Sequence, residues 1–424
     1  MDRGPFEDRV SAALSKQPIT DVHTHCYAPQ FGAAPQPGGL LLWGIDELVT
    51  YHYLIAEVYR VVPATDLPYE QFWRMSTTEQ ADHIWTNLFV ARTPMSEACR
   101  GVLTALQRLG LDPNEKTLAA YRRWFAEQTP DAYVDRVMEL AHVDRLLMTN
   151  DVFDNHERER WLGDPQIGSD SRFAAVLRID PLLRQWPQAV ARLRAWGYDA
   201  SADFAGQTTD QVRRFLADWI TRMKAEYVAM SLPPTFRYPD PNQPEADRFI
   251  QECLMPVCAD HGLPWGMMIG SKLGVNAGLR DAGDMLGKAD IQSVVNLCEQ
   301  FPKNKFLVTM LSRENQHELC VAARKFGNLM VFGCWWFLNN PSIVEEITRE
   351  RLELLGTSFI PQHSDARILD QVIYKWDHSL RVIGKVLTDK YVDLAKTGFL
   401  VTNEYIQRDV GLLLRDNYRQ FLAQ

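Results

Sequence analysis

The chain has no C-x-x-C pair, no lysine- and arginine-rich run, and no uninterrupted apolar stretch of about 18 residues, and each absence excludes a class of protein. Its seven cysteines, an odd number scattered from Cys26 to Cys334, form no disulfide framework, so a reducing, cytoplasmic setting is expected. Phosphate backbones bind concentrated basic faces, and a formal charge of −9 without such a face argues against nucleic acid. The N-terminus, MDRGPFEDRVSAALSKQ, is polar and amphipathic where a secretory signal would be apolar, so neither export nor a membrane partner is expected. An anionic small substrate would need a local cluster of arginines.

Apolar material is plentiful: 46% of the 424 residues are hydrophobic, enough for a large core. From about residue 140 onward, short β-branched or apolar runs alternate with amphipathic helical stretches, the pattern of repeated βα units. The runs are 144–151, 174–181, 227–234, 264–270, 305–312, 328–336 and 358–365, and ITDVHTH at 19–25 makes an eighth. Gly262, Gly327 and Gly356 stand where a left-handed residue would stop the preceding helix. Eight parallel strands with intervening helices close into a (β/α)₈ TIM-type barrel, which is the expected α/β fold.

More than a hundred residues of helical pattern separate the first two strands. The expected organisation is therefore an N-terminal helix and strand at 1–26, an inserted helical subdomain at 27–140, and the rest of the barrel at 141–424. An insertion at the C-terminal end of a barrel strand lies on the catalytic face. RYPDPNQPEAD, with its three prolines, is expected to be a surface loop.

His23 and His25 end the first strand, and residues i and i+2 of a strand share a face, so both imidazoles can converge on one ion. Asp365 closes the eighth run, which neighbours the first strand in a closed barrel. Two imidazoles, one carboxylate and open positions make a catalytic kind of metal site, here for one divalent ion expected to be zinc. Asp365 could instead cap the helix that follows. Arg178 and Arg367 also fall at strand ends, where a guanidinium suits a substrate carboxylate; for Arg178 the alternative is a structural pair with Asp180.

DVHTH at strand one and HSDAR at strand eight resemble the amidohydrolase superfamily. TYHYL, MSLPPTF, MMIG, DAGD, FLVTMLSRENQHEL, FGCWWF and GTSFIPQHSDAR resemble the uronate isomerases over essentially the whole chain, closest to their shorter bacterial branch. The resemblance implies aldose–ketose isomerisation of a hexuronate, glucuronate or galacturonate, with that sugar acid as the small-molecule partner and a homo-oligomeric assembly. It places His52, Arg178 and Trp336 at the substrate and makes Asp365 the base. Tyr53 is implied as proton shuttle, biased toward ionisation by Arg367, since a nearby cation lowers a phenol's pKa. Without the resemblance, Tyr51 or His52 with Leu48, Ile55 and Val58 would read as an apolar helix stripe.

One departure concerns the metal. Met267 and Met268 stand where many superfamily members carry a strand-five histidine, and Ser231 on strand four is no carbamate lysine, which implies a single, sparsely ligated ion. The rival activity is a metal-dependent hydrolase or lactonase acting on a sugar-acid derivative. A third possibility is a sugar-acid-binding protein without chemistry.

Overall fold

The structure, a computed structural model, describes residues 3–34 and 36–424. Its strands are β1 (Ile19–Thr24), β2 (Val143–Asp151), β3 (Phe173–Arg178), β4 (Val228–Leu232), β5 (Trp265–Ile269), β6 (Ser271–Lys272), β7 (Met285–Leu286), β8 (Phe306–Met310) and β9 (Leu329–Val331). Seven of them form one parallel sheet in the order β1-β2-β3-β4-β5-β8-β9, with helices in the connections. β4, β5 and β8 are buried along their whole length, as strands covered on both faces must be, which explains why VAMSL, WGMMI and FLVTM are apolar runs without alternation. Pairings such as Met230↔Met267 and Met267↔Val308 keep the register continuous through the middle of the sheet.

Closure of the (β/α)₈ barrel runs through the eighth segment, 358–365, but not as a regular strand. Phe332 and Ile360 form an isolated bridge on one side. On the other, the Asp365 N–H donates to the His23 carbonyl at 3.0 Å and the His25 N–H to the Ala366 carbonyl at 2.7 Å. The expected strand fails for two local reasons. The Ser364 N–H donates to the Asp21 carboxylate instead of a ladder carbonyl, and Asp365 turns into the left-handed region at φ +50°. β9 stops at Val331 for a related reason, because Gly333 turns at φ +66°. A Cβ on Gly333 would also sit 1.8 Å from His363 Cδ2, so only glycine lets this backbone pass the ring.

Other sequence expectations meet local corrections. Gly262 and Gly356 adopt left-handed φ of +65° and +63°, whereas Gly327 does not. In RYPDPNQPEAD the Tyr238 and Asp240 side chains are buried and Pro244–Arg248 is helical; the Tyr238 hydroxyl donates to Gln300 at 2.8 Å, which draws the segment inward. β6 and β7 pair as a two-residue ribbon too short to leave a periodicity in the sequence. No described helix is long and apolar enough to cross a membrane.

The helices between β1 and β2 stand over the barrel mouth. They are anchored by buried Asp370, which accepts from the Tyr133 hydroxyl and from the Gly44 N–H, and which directly precedes the 26-residue helix Gln371–Lys396. ELVTYHYLIAEVYR reads as one helix but folds as two, Ile45–Val49 and His52–Val58. Thr50 Oγ1 donates back to the Asp46 carbonyl at 2.8 Å and Tyr51 takes an extended conformation, φ −63° and ψ 143°. That break aims Tyr51 and His52 at the barrel.

Candidate active site

A cavity of about 520 Å³ opens at the C-terminal ends of the strands, where barrel enzymes carry their chemistry. His23, His25, His52, Arg178, Trp336, Asp365 and Arg367, seven of the eight residues singled out from the sequence, line it. The eighth, Tyr53, lies one layer behind, its ring centroid 4.8 Å from that of Tyr51 and 4.5 Å from that of His52.

The metal-ligand geometry follows from β1. Ligand atoms of His23, His25 and Asp365 lie within 4.8 Å of one another, with Asp365 Oδ1 3.4 Å from His23 Nε2 and 3.5 Å from His25 Nε2. The hydrogen bonds behind the rings fix their tautomers. Tyr227 spends its hydroxyl proton on the Val22 carbonyl at 2.9 Å, so at His23 Nδ1, 3.3 Å away, it accepts. Thr149 likewise donates to the Thr24 carbonyl at 2.7 Å and accepts from His25 Nδ1 at 2.8 Å. Both imidazoles therefore carry their proton on Nδ1 and present an Nε2 lone pair to Asp365.

Burial pushes His25 down to about 4, so it is neutral at pH 7. Burial alone would raise the Asp365 carboxyl; positive charge shared with the two imidazoles, such as a cation among the Nε2 atoms would supply, holds it well below the usual carboxylate range. Two lone pairs and a carboxylate that converge in this way call for a cation among them, and His23 Nε2 is buried with no hydrogen-bond partner. The donor set fits a divalent metal. Asp365 is no helix cap, since Asp370 occupies the position before the next helix.

Two non-glycine residues of the cavity wall sit in the left-handed region, Asp365 at φ +50° and Trp336 at φ +44°. Such conformations cost about 1–3 kcal/mol each and persist where the surroundings dictate them. Trp336 stacks on Phe337 with centroids 4.6 Å apart and meets His52 edge-on at 5.6 Å. It leaves β9 well behind, and Trp335 lines the cavity with it.

Arg178 is bound to Asp180 through Nε at 2.8 Å and Nη2 at 2.6 Å, and Asp180 in turn accepts from the Ser231 N–H. The structural pair and the cavity position thus coexist, with Nη1 outside the pair. Arg367 is half exposed and pairs with Asp281 at 3.3 Å. Its charge bears on Tyr51 and His52, while the Tyr53 hydroxyl is pushed well above its usual pKa by burial and by its phenolic and acidic neighbours. The net shift at Tyr53 runs opposite to a bias toward ionisation.

Sequence reasoning missed several wall residues. Glu157 accepts from Tyr27 at 2.8 Å and Asn150 at 2.7 Å, and burial pushes its carboxyl up to about 7. Arg184 reaches the cavity without an ion-pair partner among the described residues. Thr149, at the end of β2, was legible in principle as a strand-end polar residue beside the histidine strand. The others come from helices and loops with no periodic mark. Lys272 and Arg313 lie off the cavity: Ser271 takes the wall position, and Arg313 pairs with Glu346.

A (β/α)₈ barrel with three convergent groups that could hold a metal at its C-terminal mouth defines the class: a barrel enzyme with a candidate metal centre. Compared with solved structures, the chain is 52% identical to a uronate isomerase from Bacillus halodurans C-125, covering 100% of this chain and 97% of that one with a TM-score of 0.95. The chain belongs to the uronate isomerase family. Its fold is shared by a uronate isomerase from Thermotoga maritima, 15% identical with a TM-score of 0.77 over 99% of this chain and 97% of that one. It is shared also by a glucuronate isomerase from Caulobacter crescentus, 14% identical with a TM-score of 0.78 over 99% and 94%. No protein-family model and no curated protein sequence matches the chain.

Proposed function

We propose that this enzyme interconverts D-glucuronate with D-fructuronate, or D-galacturonate with D-tagaturonate, by proton transfer through an enediol. The observation that carries the reading is a metal-ligand triad beside an arginine-lined cavity in a member of the uronate isomerase family. Moving the carbonyl from C1 to C2 requires that the C2 proton leave and a proton arrive at C1 while protons pass between the two oxygens. Asp365, ionised and facing the cavity, is the base that takes the C2 proton. Tyr53 is assigned the proton relay between O1 and O2, which requires its hydroxyl to come forward past Tyr51 and His52 when substrate binds, and His52, pushed down to about 3 by burial, is a neutral hydrogen-bonding partner on that side. Arg367 and Trp336 hold the substrate against this wall. His23, His25 and Asp365 would hold one cation, which we assign as zinc, and when bound it would supply Lewis acidity to substrate oxygens.

The free buried cysteines support a reducing, cytoplasmic setting. A proton NMR time course with both uronates and a lactone panel tests the reading. Ketose formation from at least one uronate is the expected result; lactone hydrolysis without ketose would overturn it in favour of a hydrolase.

Arg178 is assigned to the substrate carboxylate through Nη1, with Asp180 holding the fork in place. Arg178→Met should raise KM for the uronate by roughly tenfold to a hundredfold, the 1.5–3 kcal/mol of a charged hydrogen bond, and should also lower Tm because buried Asp180 loses its cation. If the unmodified enzyme isomerised glucose as efficiently as glucuronate, no carboxylate site would be needed and the assignment would fall.

A further inference from the structure

Lys375, in the second turn of the helix Gln371–Lys396, is 3% exposed, and its Nζ has no hydrogen-bond partner. None of the ion pairs among the described residues includes it. Other lysines behave conventionally: Lys305 donates to the Leu422 carbonyl, and Lys385 and Lys390 pair with Glu345 and Glu353. The Lys375 ammonium lies 5.7 Å from the centroid of the Tyr53 ring. The Tyr53 hydroxyl is itself buried without a hydrogen bond of normal geometry.

The charged and titratable groups that face Lys375 are Asp365, Asp21, Cys26 and Glu97, with His52 and His363 on the cationic side. The Asp21 oxygens are already taken by the Ser364 N–H and the Trp376 indole, so the lysine does not serve to satisfy that carboxylate. A buried cation without a partner destabilises a fold, and a methionine of similar length would fill the space at less cost. Its place behind a phenol ring whose face attracts cations gives it another use.

We propose that Lys375 is a positioning residue for the proton relay: its ammonium, fixed over the Tyr53 ring, favours the negative charge that gathers on the tyrosine oxygen as the hydroxyl gives up its proton. Arg367, by contrast, is half exposed and paired with Asp281. The proposal rests on the isomerase reading with Tyr53 as relay.

The test uses the full-length, zinc-replete enzyme on whichever uronate it turns over. Lys375→Met should lower kcat by about 100-fold, the scale of losing one proton-transfer partner, while KM stays within about twofold and Tm holds or rises. Lys375→Arg, which restores the charge, should recover at least about tenfold of that loss. In a Tyr53→Phe background, where the relay is gone, Lys375→Met should cost less than about threefold. An unchanged kcat in Lys375→Met, an arginine variant no better than methionine, or an equal loss with and without Tyr53 would each overturn the role of Lys375 alone. Absence of uronate turnover in the unmodified enzyme would overturn the isomerase reading and this proposal together.

Discussion

Asp365→Asn is expected to give a folded protein that forms no ketose and exchanges no substrate hydrogen with heavy water. In the unmodified enzyme the carbon that receives the migrating proton should acquire deuterium. A base that removes a proton to form an enediol can lose it to solvent before returning it, whereas a hydride shift moves hydrogen from carbon to carbon without exchange. Asp365 meets the requirements of the base: its carboxyl stays in the ionised form, it lines the cavity, and a strained backbone at φ +50° aims it there.

An amide in its place cannot accept the proton, and a lost general base costs about 10²–10⁴ in rate. Because Asp365 also belongs to the ligand triad, metal content has to be measured alongside turnover. The side chain is only 8% exposed, so some direct return of the proton is expected, and partial labelling agrees with the mechanism. Complete absence of label in the product of the unmodified enzyme would rule the enediol out, and ketose formed at the normal rate by Asp365→Asn would remove Asp365 as base.

His23→Ala should lose the metal and nearly all activity. With three ligands assembled among the described residues, deleting one leaves a pair of donors, and no cysteine stands among the cavity residues to replace it. His23 is fully buried and its tautomer is fixed from behind by Tyr227, so its Nε2 is a preformed donor. Metal analysis should give about one equivalent in the unmodified protein and less than about a tenth of that in the variant, with kcat down at least about 10³-fold and not restored by added zinc. Tyr227→Phe is the milder companion: it removes the acceptor at Nδ1 but no ligand, and should weaken metal retention by about 10- to 100-fold. Full activity in protein shown to be metal-free, unchanged in His23→Ala, would sink the metal assignment.

The ligand triad was legible because two of its members follow a rule of local geometry. Residues two apart on a strand share a face, so His23 and His25 had to point together once 19–25 was read as a strand. Asp365 followed from barrel closure, which brings the first and last segments side by side. Arg178 shows where such reasoning stops: the sequence offered a structural pair or a cavity position, and the fold uses both, because Asp180 two residues on holds one edge of the guanidinium while the cavity lies beyond.

What the sequence determined by itself was the repeating βα pattern, the helical insertion between the first two strands, and the residue types at the metal site. These are set by hydrophobic periodicity and strand alternation, which act over a few residues. The tertiary structure alone decided that the eighth segment closes the barrel through isolated backbone hydrogen bonds and a single bridge instead of a regular strand, that the helix around Tyr51 breaks, and that Arg367 bears on Tyr51 while Lys375 lies behind Tyr53. Those outcomes depend on which groups meet across hundreds of residues in a buried, low-dielectric space. There the cost of an unpartnered polar atom or charge outweighs any local propensity, and no periodicity in the chain records it.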